Sequence, residues 1–276
     1  LTITEQYLKG KFDDAQQCED VIFVSEDFIA VIDGATSKSC AIAADQITSG
    51  KRAGQLIREG LSVLPADTDM QSAISNFNQL ITAYYHQNKG TKYYWDNPVE
   101  RLTASTVIYS KNKHELWMIG DCMAMINGEL ITNHKKVDEV CSGLRSAFIT
   151  NKLMRNETTL EQLSKSDAGR DFIMPLLRWS IQFQNCGYDH EFAYSVIDGF
   201  PVSPKLIKQV KLEGSAKIVL SSDGYPELKD TLKESEAILE RTLKDDPLCI
   251  DLFKSTKGLR SGTVSFDDRA YISFVV

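Results

Sequence analysis

The sequence predicts an α+β domain in which antiparallel sheets pack face to face with helices outside. Short apolar runs follow one another across polar turns, as hairpin strands do. Amphipathic helical stretches stand in a pair between the first hairpin and the next strands. No internal repeat or low-complexity linker interrupts the 276 residues. A single domain over residues 1–276 is therefore expected.

The first hairpin organises the rest. Val21-Ile22-Phe23-Val24 and Phe28-Ile29-Ala30-Val31-Ile32 flank the polar turn Ser25-Glu26-Asp27. Both runs are apolar on both faces, so both are expected to be buried on both faces. Glu19-Asp20 precede the first strand and Asp33-Gly34 follow the second, so the hairpin sets these acidic ends side by side. Crowded carboxylates repel unless a cation neutralises them, and oxygen-only ligands suit Mg²⁺ or Mn²⁺. Glycine at position 34 would let the chain turn sharply and offer its carbonyl. Asp-Gly is also a common turn signal. Ile197-Asp198-Gly199 repeats the same three letters and is expected to be only a turn.

A polar stretch, residues 35–39, leads into a helix expected from about Cys40 to Leu64. Its stripe is Ile47, Gly50, Gly54, Ile57, Leu61 and Leu64, the glycines allowing close packing on a sheet at some loss of helix propensity. Thr68 with Gln71 forms a capping box for the next helix, whose stripe is Met70, Ile74, Phe77, Ile81 and Tyr84. Residues 91–100 are expected to be a loop. Strands follow at 103–109, 115–119 and 122–126, and the Asn127-Gly128 turn leads to another at 129–132. Residues 133–170 are polar and weakly periodic, a flap-like segment expected to be mobile or partner-facing. A helix over 171–184 would put Phe172, Leu176, Trp179 and Phe183 on one face. Strands are expected at 192–197 and 216–221, the second ending in Ser222-Asp223-Gly224. Helices are expected at 235–243 and, behind an Asp246 cap and Pro247, at 247–254. The chain closes on Asp267-Asp268 and a strand over 269–276.

Composition narrows the function. Apolar content of 42% and charged content of 25% are those of ordinary globular proteins. A net charge of −7 gives no electrostatic case for nucleic acid or an anionic membrane. No run reaches membrane-spanning length, and no basic-then-apolar leader opens the chain. The six cysteines are dispersed without a CxxC pair, which points to reduced thiols and a cytoplasmic setting. His86, His114, His134 and His190 have no ligand spacing, and Cys122 has no basic partner in sequence to activate it.

Acids recur at strand boundaries: Asp33-Gly34, Gly120-Asp121, Ser222-Asp223-Gly224 and Asp267-Asp268, with Glu19-Asp20 beside the first. Gathered at one end of a sandwich, they would hold two divalent ions that activate a water for attack on phosphorus. In this order the motifs resemble the metal-dependent type-2C serine/threonine protein phosphatases of bacterial kind. Leu102-Thr103-Ala104-Ser105-Thr106 looks like that family's small-residue strand, and Ile119-Gly120-Asp121-Cys122-Met123-Ala124 is similar to its Gly-Asp-Ser-Arg strand. Leu130-Ile131-Thr132-Asn133-His134 looks like its Leu-Thr-x-Asp-His segment, and Val219–Gly224 matches its Ser-Asp-Gly strand. The resemblance runs from Glu19 to Val276.

The resemblance implies a four-layer αββα sandwich, helices on both outer faces, that hydrolyses phosphoserine or phosphothreonine in a phosphorylated protein or peptide and serves signalling. It implies Asp33 as the bridging ligand with the Gly34 carbonyl on one ion, and Asp223 and Asp267 on the other. Glu19 and Asp20 would act near the first ion through water, and Asp121 would face a looser third site shared with Asp223. Asp33 and Asp223 would carry the chemistry, with Mg²⁺ or Mn²⁺ as cofactor. Asp268 stands where the family usually has Asn. The family's phosphate-gripping Arg has no counterpart in Asp13–Cys18, leaving Lys11, Arg101 or Arg269 as substitutes. Its proton-donating His is Ala35 here, its Gly-Gly is Thr36-Ser37, and the Arg of Gly-Asp-Ser-Arg is Met123. Those losses favour an alternative: a weakly catalytic module that docks a phosphorylated partner. An N-terminal-nucleophile hydrolase on a comparable sandwich would need Thr2 exposed by processing, and Leu1 precedes it without a processing signal.

Overall fold

Alternation along one strand decides the architecture. In the computed structural model, which describes residues 1–35, 38, 47–187 and 190–276, strand β3 (Phe28–Gly34) has Phe28, Ala30 and Ile32 on one face and Ile29 and Val31 on the other, all buried. The first set packs beneath helices α1 (Ser49–Val63) and α2 (Met70–Gln87), against Ile57, Phe77 and Ile81. The second faces another sheet, against Ile218, Leu220 and Ile272.

Each sheet has five antiparallel strands. One runs β2 (Val21–Val24), β3, β4 (Ala104–Ser110), β5 (Glu115–Ile119), β8 (Lys208–Lys211). The other runs β1 (Thr2–Lys9), β10 (Arg269–Val275), β9 (Lys217–Ser221), β6 (Met123–Ile126), β7 (Glu129–Thr132). Val219 and Tyr271 on its outer face pack on Leu239 of helix α7 (Leu232–Asp245). Helices therefore cover both outer faces, and the expected α+β sandwich is what forms.

Several local expectations are corrected. Strand β2 is a sheet edge, so it is only half-buried. The stretch 91–96 is a short helix, α3 (Thr91–Asp96), rather than loop. The second helix is capped one residue later than expected: Asp69 accepts from the Ser72 amide, while the Thr68 hydroxyl donates to the Pro65 carbonyl. The first helix begins at Ser49 behind a Thr48 cap, so Ile47 is not helical as expected, and the expected helix start at 40–46 lies outside the described residues.

The polar segment 133–170 is mostly helix: α4 (Lys136–Met154), α5 (Leu160–Lys165) and the start of α6 (Ala168–Trp179). Its periodicity is hidden because α4 buries polar residues, Ser142, Arg145 and Ser146, along with Val137, Cys141 and Ile149. Helix α6 starts earlier than the sequence suggests and ends in a 3₁₀ turn, Ser180–Phe183. It buries Gly169, Ile173 and Leu177, leaving Phe172, Leu176 and Trp179 exposed, Trp179 to 63%. Residues 192–197 make only isolated bridges, at Tyr194 and Ile197. No helix forms after Asp246, whose carboxylate instead collects the amides of Ile250, Asp251 and Leu252 in a tight loop.

Candidate active site

Four strand ends deliver carboxylates to one end of the sandwich. Asp33 ends β3 opposite Ser105 of β4, Asp121 follows β5, Asp223 follows β9, and Asp267 precedes β10. Close backbone approach lets these strand ends lie together. A side chain at Gly34 would collide with the Gly50 carbonyl of α1 at 2.5 Å, and one at Gly224 with the Asp268 carbonyl at 2.0 Å. Gly34 is thus a packing glycine within a strand, not the sharp turn read from the sequence.

Asp33, Gly34, Asp121, Asp223 and Asp267 line a small cavity of ≈ 90 Å³ together with Lys38, Lys135, Lys257 and Arg170. It adjoins a groove of ≈ 380 Å³ that shares Asp121, Asp223 and Asp267 and is walled by Met123, Tyr225, Phe253 and Phe266. Glu19 and Asp20 are buried and line neither the cavity nor the groove.

The carboxylates divide into two kinds. Asp121 and Asp267 are neutralised. Lys135 donates to Asp121 at 2.8 Å and Ser105 donates at 2.5 Å. Burial pushes Asp121 up, but Lys135 and Ser105 outweigh it and hold the carboxyl down at about 2. Lys257 pairs with Asp267 and Lys11 lies 3.6 Å from it, so Asp267 also falls despite its burial.

Asp33 and Asp223 have neither an ion pair nor a hydrogen bond among the described residues. Burial, then the neighbouring carboxylates, push both well above the usual range. Asp20 is raised by burial as well, and its Oδ2 is buried without a hydrogen-bond partner. Asp268 is committed to structure: it accepts the Lys11 and Glu19 amides at 2.7 and 3.1 Å, and Lys11 Nζ at 3.1 Å.

An all-oxygen donor set with uncompensated buried carboxylates fits a hard divalent cation. The side chains lie near one another without converging: among the described residues no three His, Cys, Asp or Glu side chains are arranged to hold an ion.

The catalytic domain of the serine/threonine protein phosphatase PstP, in complex with two manganese ions, matches this fold with a TM-score of 0.51 at 13% identity, covering 100% of this chain and 99% of that one. The fold is that of a serine/threonine protein phosphatase catalytic domain. It bears out, as a fold, the type-2C resemblance read from the sequence. The Mycobacterium tuberculosis phosphatase PstP/Ppp matches at 15% identity, with 100% and 98% coverage and a TM-score of 0.47. Stp1 from Staphylococcus aureus matches at 13% identity, with 99% and 94% coverage and a TM-score of 0.49. No family model and no curated protein matches the chain.

Within this phosphatase fold, the candidate phosphate-gripping residues named from the sequence are engaged elsewhere. Lys11 sits among Glu19, Asp267 and Asp268. Arg101 pairs with Asp198 at 3.0 Å and Arg269 with Glu236 at 2.7 Å. The cations in the cavity, Lys38, Lys135, Lys257 and Arg170, are inconspicuous in the sequence. No local motif marks them, because they come from separate loops and from the start of α6. The four histidines stay out of the cavity lining, and Cys122 is a fully buried strand-end residue whose thiol is pushed up by burial.

The look-alike Asp198 is more than a turn. It is fully buried and accepts from Arg101, Gln184, Asn185 and the Phe200 amide. Asp198→Asn should destabilise the protein by about 3–5 kcal/mol, because Arg101 is left without its counter-charge. A thermal midpoint about 10 °C lower is expected. An unchanged midpoint would show that the network contributes nothing.

Proposed function

We propose that this chain is a metal-dependent phosphomonoester hydrolase acting on phosphoserine or phosphothreonine in proteins or peptides. The observation that carries the proposal is the state of Asp33 and Asp223: two carboxylates held in a cleft among other carboxylates, neither of them ion-paired or hydrogen-bonded among the described residues, with Lys257 acting on both only from a distance. Keeping such charges together destabilises a protein unless something binds there. Asp33, the Gly34 carbonyl, Asp223 and Asp267 would hold two Mg²⁺ or Mn²⁺ ions. Glu19 and Asp20 would support them through water, and Asp121 with Asp223 would face a third. Such ions supply charge neutralisation and a water acidified for attack on phosphorus. The chain's own part is to fix the acids on rigid strand ends and to offer the adjoining groove to the peptide on either side of the phosphate.

The primary test is turnover of p-nitrophenyl phosphate and of a phosphothreonine peptide in Mn²⁺, with and without chelator. A second, independent readout is stability. Ligand at about 100 times its dissociation constant stabilises by about 2.7 kcal/mol. Mn²⁺ should therefore raise the thermal midpoint by about 5–10 °C over NaCl of matched ionic strength. An equal midpoint in both salts would count against an ion site.

One observation favours a second reading, a weakly catalytic module that docks a phosphorylated partner. Lys135 and Lys257 already neutralise Asp121 and Asp267, and an ion must compete with them. Saturable binding of a phosphopeptide with no turnover of either substrate would select that reading.

A further inference from the structure

We infer that Arg170, at the start of helix α6, is the residue that grips the substrate phosphate in this cleft. The inference rests on the phosphohydrolase reading above and names how that site holds its substrate.

The Arg170 side chain lines the same cavity as Asp33, Asp223 and Asp267. Its guanidinium carries five N–H groups, and among the described residues it makes one hydrogen bond, Nη1 to the Thr256 carbonyl at 3.0 Å. Among the described residues no carboxylate is within ion-pair distance of it, although Asp138, Asp267 and Asp167 lie near enough to attract it. Arg101 and Arg269, by contrast, are closed off by the carboxylates of Asp198 and Glu236. Partly buried, cationic and short of acceptors, Arg170 presents the planar fork that suits the oxygens of a phosphate dianion.

The side chain is also held in place. Asp167 caps α6 and accepts the Arg170 amide at 2.8 Å. Buried Arg145 then clamps Asp167 at 2.7 Å and reaches the carbonyls of Leu248 and Ser255. One arginine thus ties the start of α6 to the loop that carries Thr256 and Lys257. Arg170 and Lys257 are presented to the cavity from a common frame, which lowers the ordering loss on binding. Lys38 and Lys135 add positive charge on the same wall. Burial, together with Lys135, holds the Lys38 amine down at about 8, and burial lowers Arg170 too. An arriving dianion would relieve both.

The test uses the full chain in Mg²⁺, with inorganic phosphate as the probe in calorimetry and p-nitrophenyl phosphate in kinetics. Arg170→Ala should weaken phosphate binding about tenfold or more and raise KM by a similar factor, with kcat within about threefold, as expected for loss of uniform binding. Arg170→Lys should recover only part, because an ammonium lacks the fork. Arg155→Ala, an exposed arginine paired with Glu157, should match the wild type. Arg170→Gln keeps a donor within reach of Thr256 should the alanine variant fail to fold. Wild-type phosphate affinity and KM in these variants would overturn the assignment, as would a wild type that binds no phosphate. Phosphate binding that depends on Arg170 without any turnover would uphold the assignment and overturn the hydrolase reading.

Discussion

Asp33→Asn will lower kcat at saturating Mn²⁺ by about a hundredfold or more, while leaving the metal-free protein at least as stable as the wild type. Asp33 ends a strand buried on both faces, so its carboxylate cannot move away from the cluster. Its neighbours across the cleft include Asp20, Asp121 and Asp267. As the proposed bridging ligand, its loss would undo both ions at once and with them the activated water. The stability half of the prediction follows from linkage. A carboxyl whose folded pKa is raised prefers its proton in the folded state, so ionisation at neutral pH opposes folding. Asn removes that charge, and the metal-free thermal midpoint should hold or rise. Asp198→Asn should show the opposite pattern, with lowered stability and, below its midpoint, kcat within about threefold of wild type. Steady-state kinetics and thermal melts on both variants separate the roles. Equal behaviour of the two would remove Asp33 from the site.

Removal of divalent ions is expected to abolish turnover outright. Dialysis against EDTA should reduce activity by at least about a hundredfold, and Mn²⁺ or Mg²⁺ should restore it. The cavity holds carboxylates and a glycine carbonyl but no histidine or cysteine, a donor set for hard cations rather than zinc or copper. In the metal-free chain, Lys257 on Asp267 and Lys135 on Asp121 act as internal counter-charges, so the apo protein should survive chelation folded. Loss of activity with a retained melt, reversed by Mn²⁺, is the expected result. Full activity in excess chelator would end the two-ion reading.

The sandwich was legible where burial follows a simple alternation. Phe28–Ile32 and Ile218–Leu220 are apolar throughout and both faces meet protein, and such runs announce themselves. The acids at their ends were legible for a related reason: a charged residue directly after a buried strand is conspicuous. Helix α4 was not legible, because its inward face carries Arg145 and Ser146, made tolerable only by Asp167 and by loop carbonyls far along the chain. Helix α6 misled in the other direction. Its most apolar stripe, Phe172, Leu176 and Trp179, lies on the surface, while the face it buries includes Gly169, which sits against Ile149.

The sequence by itself determined the strand runs, the α+β class and the acids that flank those strands, since each depends on neighbours within a few residues. Only the tertiary structure decided how those acids differ. Asp121 and Asp267 receive lysines from elsewhere in the chain, whereas Asp33 and Asp223 receive none among the described residues, and Asp268 is consumed by backbone amides. The same holds for Asp198, whose Asp-Gly letters match those of Asp33 but whose carboxylate is met by Arg101 across 97 residues. The physical reason is that a charge's role depends on what lies within a few ångströms of it, and for buried groups those partners are brought there by the fold, not by adjacency in the chain.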